Sequence, residues 1–245
     1  MKSLIITVAG KATRFNKDLS KPTLKCIYYE NSPKNTLLYK ILEKSKDIDQ
    51  YVIVGGYLYE DLKFYIDTLD EFKPKITLVY NPHYEDYGSG YSLIKGVEVV
   101  NDKVDEIIFV EGDLYFNAQN FAQIKQTSKD VITINREFIS SDKSVVLYVD
   151  ANDHVHYVYD TKHKYLTVER EFKAIYNSGQ IWKFISLSKL RNVVMSLNQK
   201  QIQGTNLEEI QGYFNDLTIE QIDFITLDTW INCNTIFEYK KINTI

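Results

Sequence analysis

The chain is poor in the residues that build disulfide frameworks and metal clusters. Among 245 residues there are two cysteines and four histidines. Cys26 and Cys233 lie far apart, which is neither a disulfide framework nor a zinc-ligand spacing. Four histidines argue against a histidine-rich metal site. An excess of positive charge is also missing. The formal net charge is −4, so bulk attraction to nucleic acid or to an anionic membrane is not expected. No apolar run approaches the ~20 residues that span a bilayer, and the first residues lack the charged-apolar-small pattern of a signal peptide. The expectation is therefore a cytoplasmic protein with no membrane partner. Hydrophobic content of 44% and charged content of 25% are ordinary for a globular chain. This length buries a sizeable core and suits one large α/β domain.

The first 25 residues organise the rest. Ser3-Leu4-Ile5-Ile6-Thr7-Val8 is a short apolar, β-branched run and reads as a buried strand. Ala9-Gly10-Lys11-Ala12-Thr13-Arg14 follows, then Ser20-Lys21-Pro22-Thr23-Leu24-Lys25. Gly10 and Ala12 leave room for a ligand beside the backbone, and free amides in such a loop form an anion-binding nest. Arg14, Lys21 and Lys25 add fixed positive charge. The layout suits a triphosphate. It is not a Walker loop, because no Gly-Lys-Ser/Thr follows, and the three-glycine dinucleotide spacing is absent. The plain alternative is an ordinary strand-to-helix turn with basic surface residues.

Further on, Thr36–Lys46 has helical spacing with Asn35 or Ser32 as caps. Tyr51–Val54 reads as a strand ended by Gly55-Gly56, Tyr59–Leu69 as a helix and Ile76–Tyr80 as a third strand. Strands alternating with helices predict a mostly parallel Rossmann-like sheet flanked by helices. Asn81–Ser92 is a polar loop at the carboxyl end of a strand, where ligands bind in such sheets; the bland reading is a helix start. Ile107–Asp113 is a fourth strand that ends in an acid. A lone carboxylate there needs a cation, and Mg²⁺ shared with substrate phosphates fits; the alternative is a cap for the helix predicted over Ala118–Gln126. From residue 131 to 185 the pattern changes to strand-like runs, Val131–Ile134, Val145–Val149 and His154–Tyr159, with a turn at Asp150–Asp153. These predict β-hairpins inserted into the sheet. Ser186–Gln199 and Asn206–Phe214 read as helices and Ile222–Leu227 as a late strand, closing the chain over 186–245.

The ordered set of features resembles the nucleotidyltransferase family, which couples a nucleoside triphosphate to a phosphorylated acceptor and releases pyrophosphate. The family signature is a strand, Ala-Gly-x-Gly-Ser/Thr-Arg and a Lys-Pro pair. Here Ala12 stands where the second glycine belongs, and alanine restricts positive φ. The resemblance implies a GT-A-type fold with residues 1–130 as the nucleotide-binding part. It implies triphosphate contacts from Ala9, Gly10, Lys11, Ala12 and Thr13, with Gly56 and Tyr57 beside them. Gly88, Ser89 and Ser92 would meet the base. Arg14, Lys21 and Lys25 would be catalytic, and Asp113 would bind nucleotide through Mg²⁺. The family's second metal-binding acid falls in Trp230-Ile231-Asn232-Cys233-Asn234-Thr235, where Asn232 and Asn234 offer only uncharged amides.

Within the family the chain is most similar to the short cytidylyltransferases with small acceptors. The implied partners are CTP and a small phosphorylated molecule, with phosphoglutamine favoured over phosphocholine or a sugar 1-phosphate. Arg136, Arg170, Lys173, Tyr176 and Gln180 are the implied acceptor residues. A phosphocholine site would need an aromatic box, for which Tyr157, Tyr159, Tyr176 and Trp182 are the candidates. Two other classes stay open: a glycosyltransferase, with Glu111 as the second acid, and an inactive nucleotide-binding regulator. For the oligomeric state the expectation is the commonest one, a two-fold homodimer.

Overall fold

The computed structural model describes residues 1–158 and 164–245. The strands, in chain order, are β1 (Lys2–Thr7), β2 (Gln50–Gly55), β3 (Ile76–Tyr80), β4 (Glu106–Glu111), β5 (Leu114–Phe116), β6 (Asp130–Asn135), β7 (Val146–Asp150), β8 (Val155–Val158), β9 (Phe172–Phe184), β10 (Ile222–Leu227) and β11 (Trp230–Asn232). The central sheet runs β10-β6-β9-β4-β1-β2-β3. Its neighbours are parallel except at β9, which is antiparallel to both β4 and β6. The expected α/β class, a largely parallel sheet between helices, is what folds.

Side-chain alternation explains the two covered faces. Leu4 and Ile6 of β1 point to one side, with Ile53 and Ile108, where helices Leu37–Lys44, Tyr59–Asp67 and Ala118–Gln126 supply Leu38, Ile41, Leu62 and Phe121. Ile5, Val52 and Phe109 point to the other, beneath helices Gly90–Glu98, Leu187–Ser196 and Leu207–Phe214. Strands buried on both faces need continuous apolar runs, which is how these read. No helix among the described residues is long and apolar enough to cross a membrane.

Some local expectations shift. The cap of helix Leu37–Lys44 is Thr36, whose Oγ1 accepts from Tyr39 N at 3.0 Å. Ser32 instead caps the 3-10 turn Pro33–Asn35, in which Asn35 lies. Asp113 caps no helix, because Asn117 Oδ1 takes the Asn120 amide at 2.8 Å. The β7–β8 hairpin with its turn at Asp150–Asp153 is present. The run beginning at Val131, however, belongs to the central sheet as β6, parallel to β10. β9 is long because it does two jobs: its first half pairs β7 and its second half bridges β6 and β4. Tyr159, expected at the end of β8, lies outside the described residues.

Candidate active site

The carboxyl ends of β1 and β4, adjacent and parallel, open into one cleft of about 530 Å³. Its walls come from the first loop (Ala9, Gly10, Ala12, Arg14), from Lys25, from Tyr84, Tyr87, Gly88, Ser89 and Ser92, and from Glu111, Asp113, Asn232 and Asn234. Residues separated by more than 200 positions therefore share one space. The topology explains this: β11 pairs antiparallel with β5 directly after Asp113, and Cys233 N donates to Asp113 O at 2.8 Å. That pairing swings Asn232 and Asn234 beside Asp113. Thr235 and Glu238 then form a capping box that starts the helix Ile236–Ile242.

The first loop has the shape its glycine signature calls for, despite the alanine. Ala12 sits at φ 51°, ψ 42°, in the left-handed region. An L-residue pays roughly 1–2 kcal/mol there, so the surrounding contacts hold it. Asn16 supplies them. Its Nδ2 donates to the Lys11, Ala12 and Thr23 carbonyls at 3.2, 3.2 and 3.0 Å, and its Oδ1 accepts from Thr23 N at 2.8 Å. Gly10 has no neighbour within 4 Å of where a Cβ would stand, which keeps the loop open on the ligand side.

The polar side chains form a connected path. Lys25 Nζ lies 2.8 Å from Asp113 Oδ2 and 3.4 Å from Asn234 Oδ1. Arg14 donates to the same Asn234 oxygen at 3.0 Å. Asn234 Nδ2 donates to Asn232 Oδ1 at 2.8 Å, and Asn232 Nδ2 reaches Gln180 Oε1 at 3.4 Å. Gln180 Nε2 donates to Glu111 Oε2 at 2.9 Å, and Asn206 Nδ2 to Glu111 Oε1 at 2.7 Å. Asn206 N closes the path on Ser89 Oγ at 3.1 Å. Loss of solvent around Glu111, then the charge of Asp113, push its carboxyl up to about 7 against the Asn206 hydrogen bond and the Lys25 charge. Gln180 holds φ 56° at a register shift between β6 and β9. Backbone strain of this kind concentrates at working sites.

The donor set fits one divalent cation of the magnesium type. Asp113 Oδ1 is buried and has no hydrogen-bond partner, which leaves one carboxylate oxygen for a metal. The Asn232 amide oxygen accepts from Asn234 and can add to it, whereas the Asn234 oxygen, the other expected ligand, already accepts from Arg14 and Lys25. Among the described residues no group of three or more His, Cys, Asp or Glu side chains could enclose a metal unaided. Phosphate oxygens would have to complete the shell, the usual arrangement for Mg²⁺.

The structure separates the expected residues into three groups. Ala9, Gly10, Ala12, Arg14, Lys25, Gly88, Ser89, Ser92, Asp113, Asn232 and Asn234 line the cleft, and Gln180 joins them through its amide. Lys11, Thr13, Lys21 and Tyr57 line a neighbouring outer depression of about 550 Å³ that shares Arg14 with the cleft. Lys11 is occupied there by Glu85 at 2.9 Å. Gly56 supports rather than lines: a Cβ there would stand 2.5 Å from Tyr84 Cβ. The remaining basic acceptor candidates are elsewhere. Arg170 lies 3.8 Å from Asp150, and Lys173 lies 2.7 Å from Asp153, both on the hairpin turn. Arg136 is exposed on the loop after β6. Tyr176 packs against Phe224 with ring centroids 5.7 Å apart. Trp182 is fully buried, stacked on Phe109 at 5.3 Å, and donates to Tyr157 Oη at 2.6 Å. These two aromatics are core, not an exposed box. Asn16, Asn206 and the bridging role of Glu111 carry no local sequence signal, since their partners come from distant segments.

This fold is the one found in nucleotidyltransferases. A putative glucose-1-phosphate thymidylyltransferase from Bacillus anthracis superposes with a TM-score of 0.72 at 15% identity, covering 100% of this chain and 94% of that one. The CTP:phosphocholine cytidylyltransferase of Streptococcus pneumoniae gives 0.62 at 17% identity, covering 99% and 98%. In sequence, 125 residues are 30% identical to a choline-phosphate cytidylyltransferase of Haemophilus influenzae, 51% of this chain and about half (49%) of that relative's length. Residues 21–245 match the family described as Domain of unknown function (DUF6564), and the chain belongs to that family. The match begins at Lys21, after the signature loop.

Proposed function

We propose that this protein is a cytidylyltransferase that moves CMP from CTP to a small phosphorylated acceptor. One observation carries the reading: Arg14 and Lys25 both donate to the Asn234 oxygen, and Lys25 pairs with Asp113, in a single cleft. An acceptor phosphate oxygen bonds to the α-phosphorus of CTP while the α–β bridging bond breaks and pyrophosphate leaves. The nucleophile is already an anion, so no general base is required. The obstacle is the approach of anion to anion, and positioned positive charge lowers it. Lys25 faces the reacting phosphates, Arg14 and the amides of the first loop hold the leaving pyrophosphate, and Tyr84 to Ser92 enclose the nucleoside. Asp113, through its free Oδ1, and the Asn232 amide oxygen would hold Mg²⁺. When bound, the ion would supply positive charge to offset that of the phosphates.

For the acceptor we infer phosphoglutamine, giving a CDP-linked product for modification of a capsule or surface polysaccharide. Support comes from the polar side of the cleft, where Gln180 links Glu111 to Asn232, a carboxylate and two amides whose hydrogen bonds can be exchanged for those of a zwitterionic, amide-bearing molecule. Phosphocholine is the second reading, favoured by the identity of the curated relative. The burial of Tyr157 and Trp182 counts against it. A sugar 1-phosphate is the third. Pyrophosphate release with Mg²⁺, measured for four nucleoside triphosphates against these three acceptors, tests the reading. Turnover with CTP and phosphoglutamine supports it. Thermal stabilisation by CTP without turnover on any acceptor would leave a nucleotide-binding regulator.

A further inference from the structure

Glu209 lies in the helix Leu207–Phe214 and is fully buried. Neither of its carboxylate oxygens has a hydrogen-bond partner, and the same is true of the nearby buried hydroxyl of Thr205. Its Oε1 and the Thr205 carbonyl stand 3.0 and 2.9 Å from the place a Cβ on Gly90 would fill. The carboxyl is therefore pressed against the first residue of the helix Gly90–Glu98, behind the loop that lines the cleft.

No cation meets it. On the helix Gly90–Glu98, Lys95 is paired with Glu98 and Tyr91 packs against Tyr87. On the helix Leu187–Ser196, Arg191 is paired with Asp102, and Lys189 lies over the Tyr213 ring at 4.7 Å. On β8, His156 is held by Asp150 at 2.9 Å, and the Tyr157 hydroxyl is taken by Trp182. On its own helix, Glu208 adds a like charge, and Tyr213 bonds Asp130. An ionised carboxylate in that setting would be strongly disfavoured. Burial, with the Glu208 charge, pushes the Glu209 carboxyl up to about 8 against the pull of its own backbone amide, which falls short of a hydrogen bond.

The same helix start is the clamp on the nucleotide-side loop. Gly88 N donates to Gln203 O at 2.9 Å, Gly90 N to Gly204 O at 3.2 Å, and Asn206 N to Ser89 Oγ at 3.1 Å. A Cβ at Gly88 would stand 2.1 Å from Gly204 O, so the two segments touch backbone to backbone. We propose that Glu209 is a proton-held latch: as a neutral acid it lets the turn Gln203–Asn206 close on Gly88–Gly90, and ionisation drives the turn open so that the carboxylate reaches water. The consequence for nucleotide binding rests on the proposed function; the latch itself does not.

Hydrogen exchange of the ligand-free full chain tests it at the amides of Gly88, Gly90 and Asn206. The closed state holds a proton that the open state releases, so opening gains with rising pH up to about 8 and then levels. After correction for intrinsic exchange, protection at these amides falls about a hundredfold between pH 5.5 and 7.5. Glu209→Gln and, as an apolar control, Glu209→Met flatten that slope. Wild-type protection independent of pH, or an unchanged slope in a folded variant, overturns the latch. Nucleotide binding takes no part in this readout, so failure of the proposed activity and failure of the latch are seen separately.

Discussion

Lys25 Nζ and Asp113 Oδ2 are 2.8 Å apart although the residues are 88 positions apart in sequence. Both side chains are largely shielded, 14% and 23% exposed. The ammonium neutralises one carboxylate oxygen and leaves the other free, so the pair brings a phosphate-facing cation and a metal-facing anion to the same point. Removing Lys25 as Lys25→Met should lower kcat by about 10²–10³, the usual cost of one contact to developing charge. Lys21→Ala should cost far less, under about tenfold, because Lys21 lines the outer depression. Steady-state pyrophosphate release with both variants checks the ranking.

The loop strain at Ala12 gives a stability test. Ala12→Gly relieves the left-handed conformation but adds freedom to the unfolded chain, for a net gain of about 0.5–1 kcal/mol. In a chain of this size that raises Tm by roughly 1–4 °C. Thermal unfolding followed by circular dichroism measures it. An unchanged or lower Tm would mean that the Asn16 clamp, not residue 12, sets the loop.

On the hairpin turn, Asp150 shows a linked pH dependence. Burial alone would raise its carboxyl, but the His156 imidazole and the His154 and Asn152 amides outweigh it and hold it at about 2. A lowered folded value means that the stabilisation is present above pH ~4 and is lost as pH falls toward 2. The contribution near neutral pH is about 2–3 kcal/mol. Asp150→Asn should therefore lower stability at pH 6–7 and make little difference at pH 2. Denaturant melts at the two pH values decide.

For the acceptor side, Arg170→Ala and Lys173→Ala should leave the acceptor KM within about twofold, because both cations are engaged on the hairpin turn, where surface pairs add little. Gln180→Ala breaks the bridge between Glu111 and Asn232 and should raise that KM by about tenfold or more. Substrate-saturation curves for the three variants distinguish the two groups.

Much of the fold was legible because local pattern determined it. The expected limits of Ile76–Tyr80, Ala118–Gln126 and Ile222–Leu227 coincide with the observed elements, since each has clear periodicity and turn residues at both ends. β9 was legible only over Tyr176–Phe184, which lines up with a strand of the resembled family, and not from Phe172 onward. Its thirteen residues serve three partners, and register between distant segments leaves no mark on a single run. Arg14, Lys25, Asp113 and the two asparagines could be named from motif order. The choice between Lys21 and Lys25 depended on the 3-10 turn Lys25–Ile27, which sets Lys25 on the cleft. The Glu111–Asn206 contact, spanning 95 positions, is a product of topology alone.

The most direct measurement is ³¹P NMR of the protein mixed with CTP, Mg²⁺ and phosphoglutamine. The account predicts loss of the three CTP resonances with equimolar growth of pyrophosphate and of a coupled two-phosphorus signal from the CDP-linked product. CTP left intact with phosphoglutamine, phosphocholine and glucose 1-phosphate alike, or cleaved to CDP and orthophosphate, would contradict nucleotidyl transfer by this cleft.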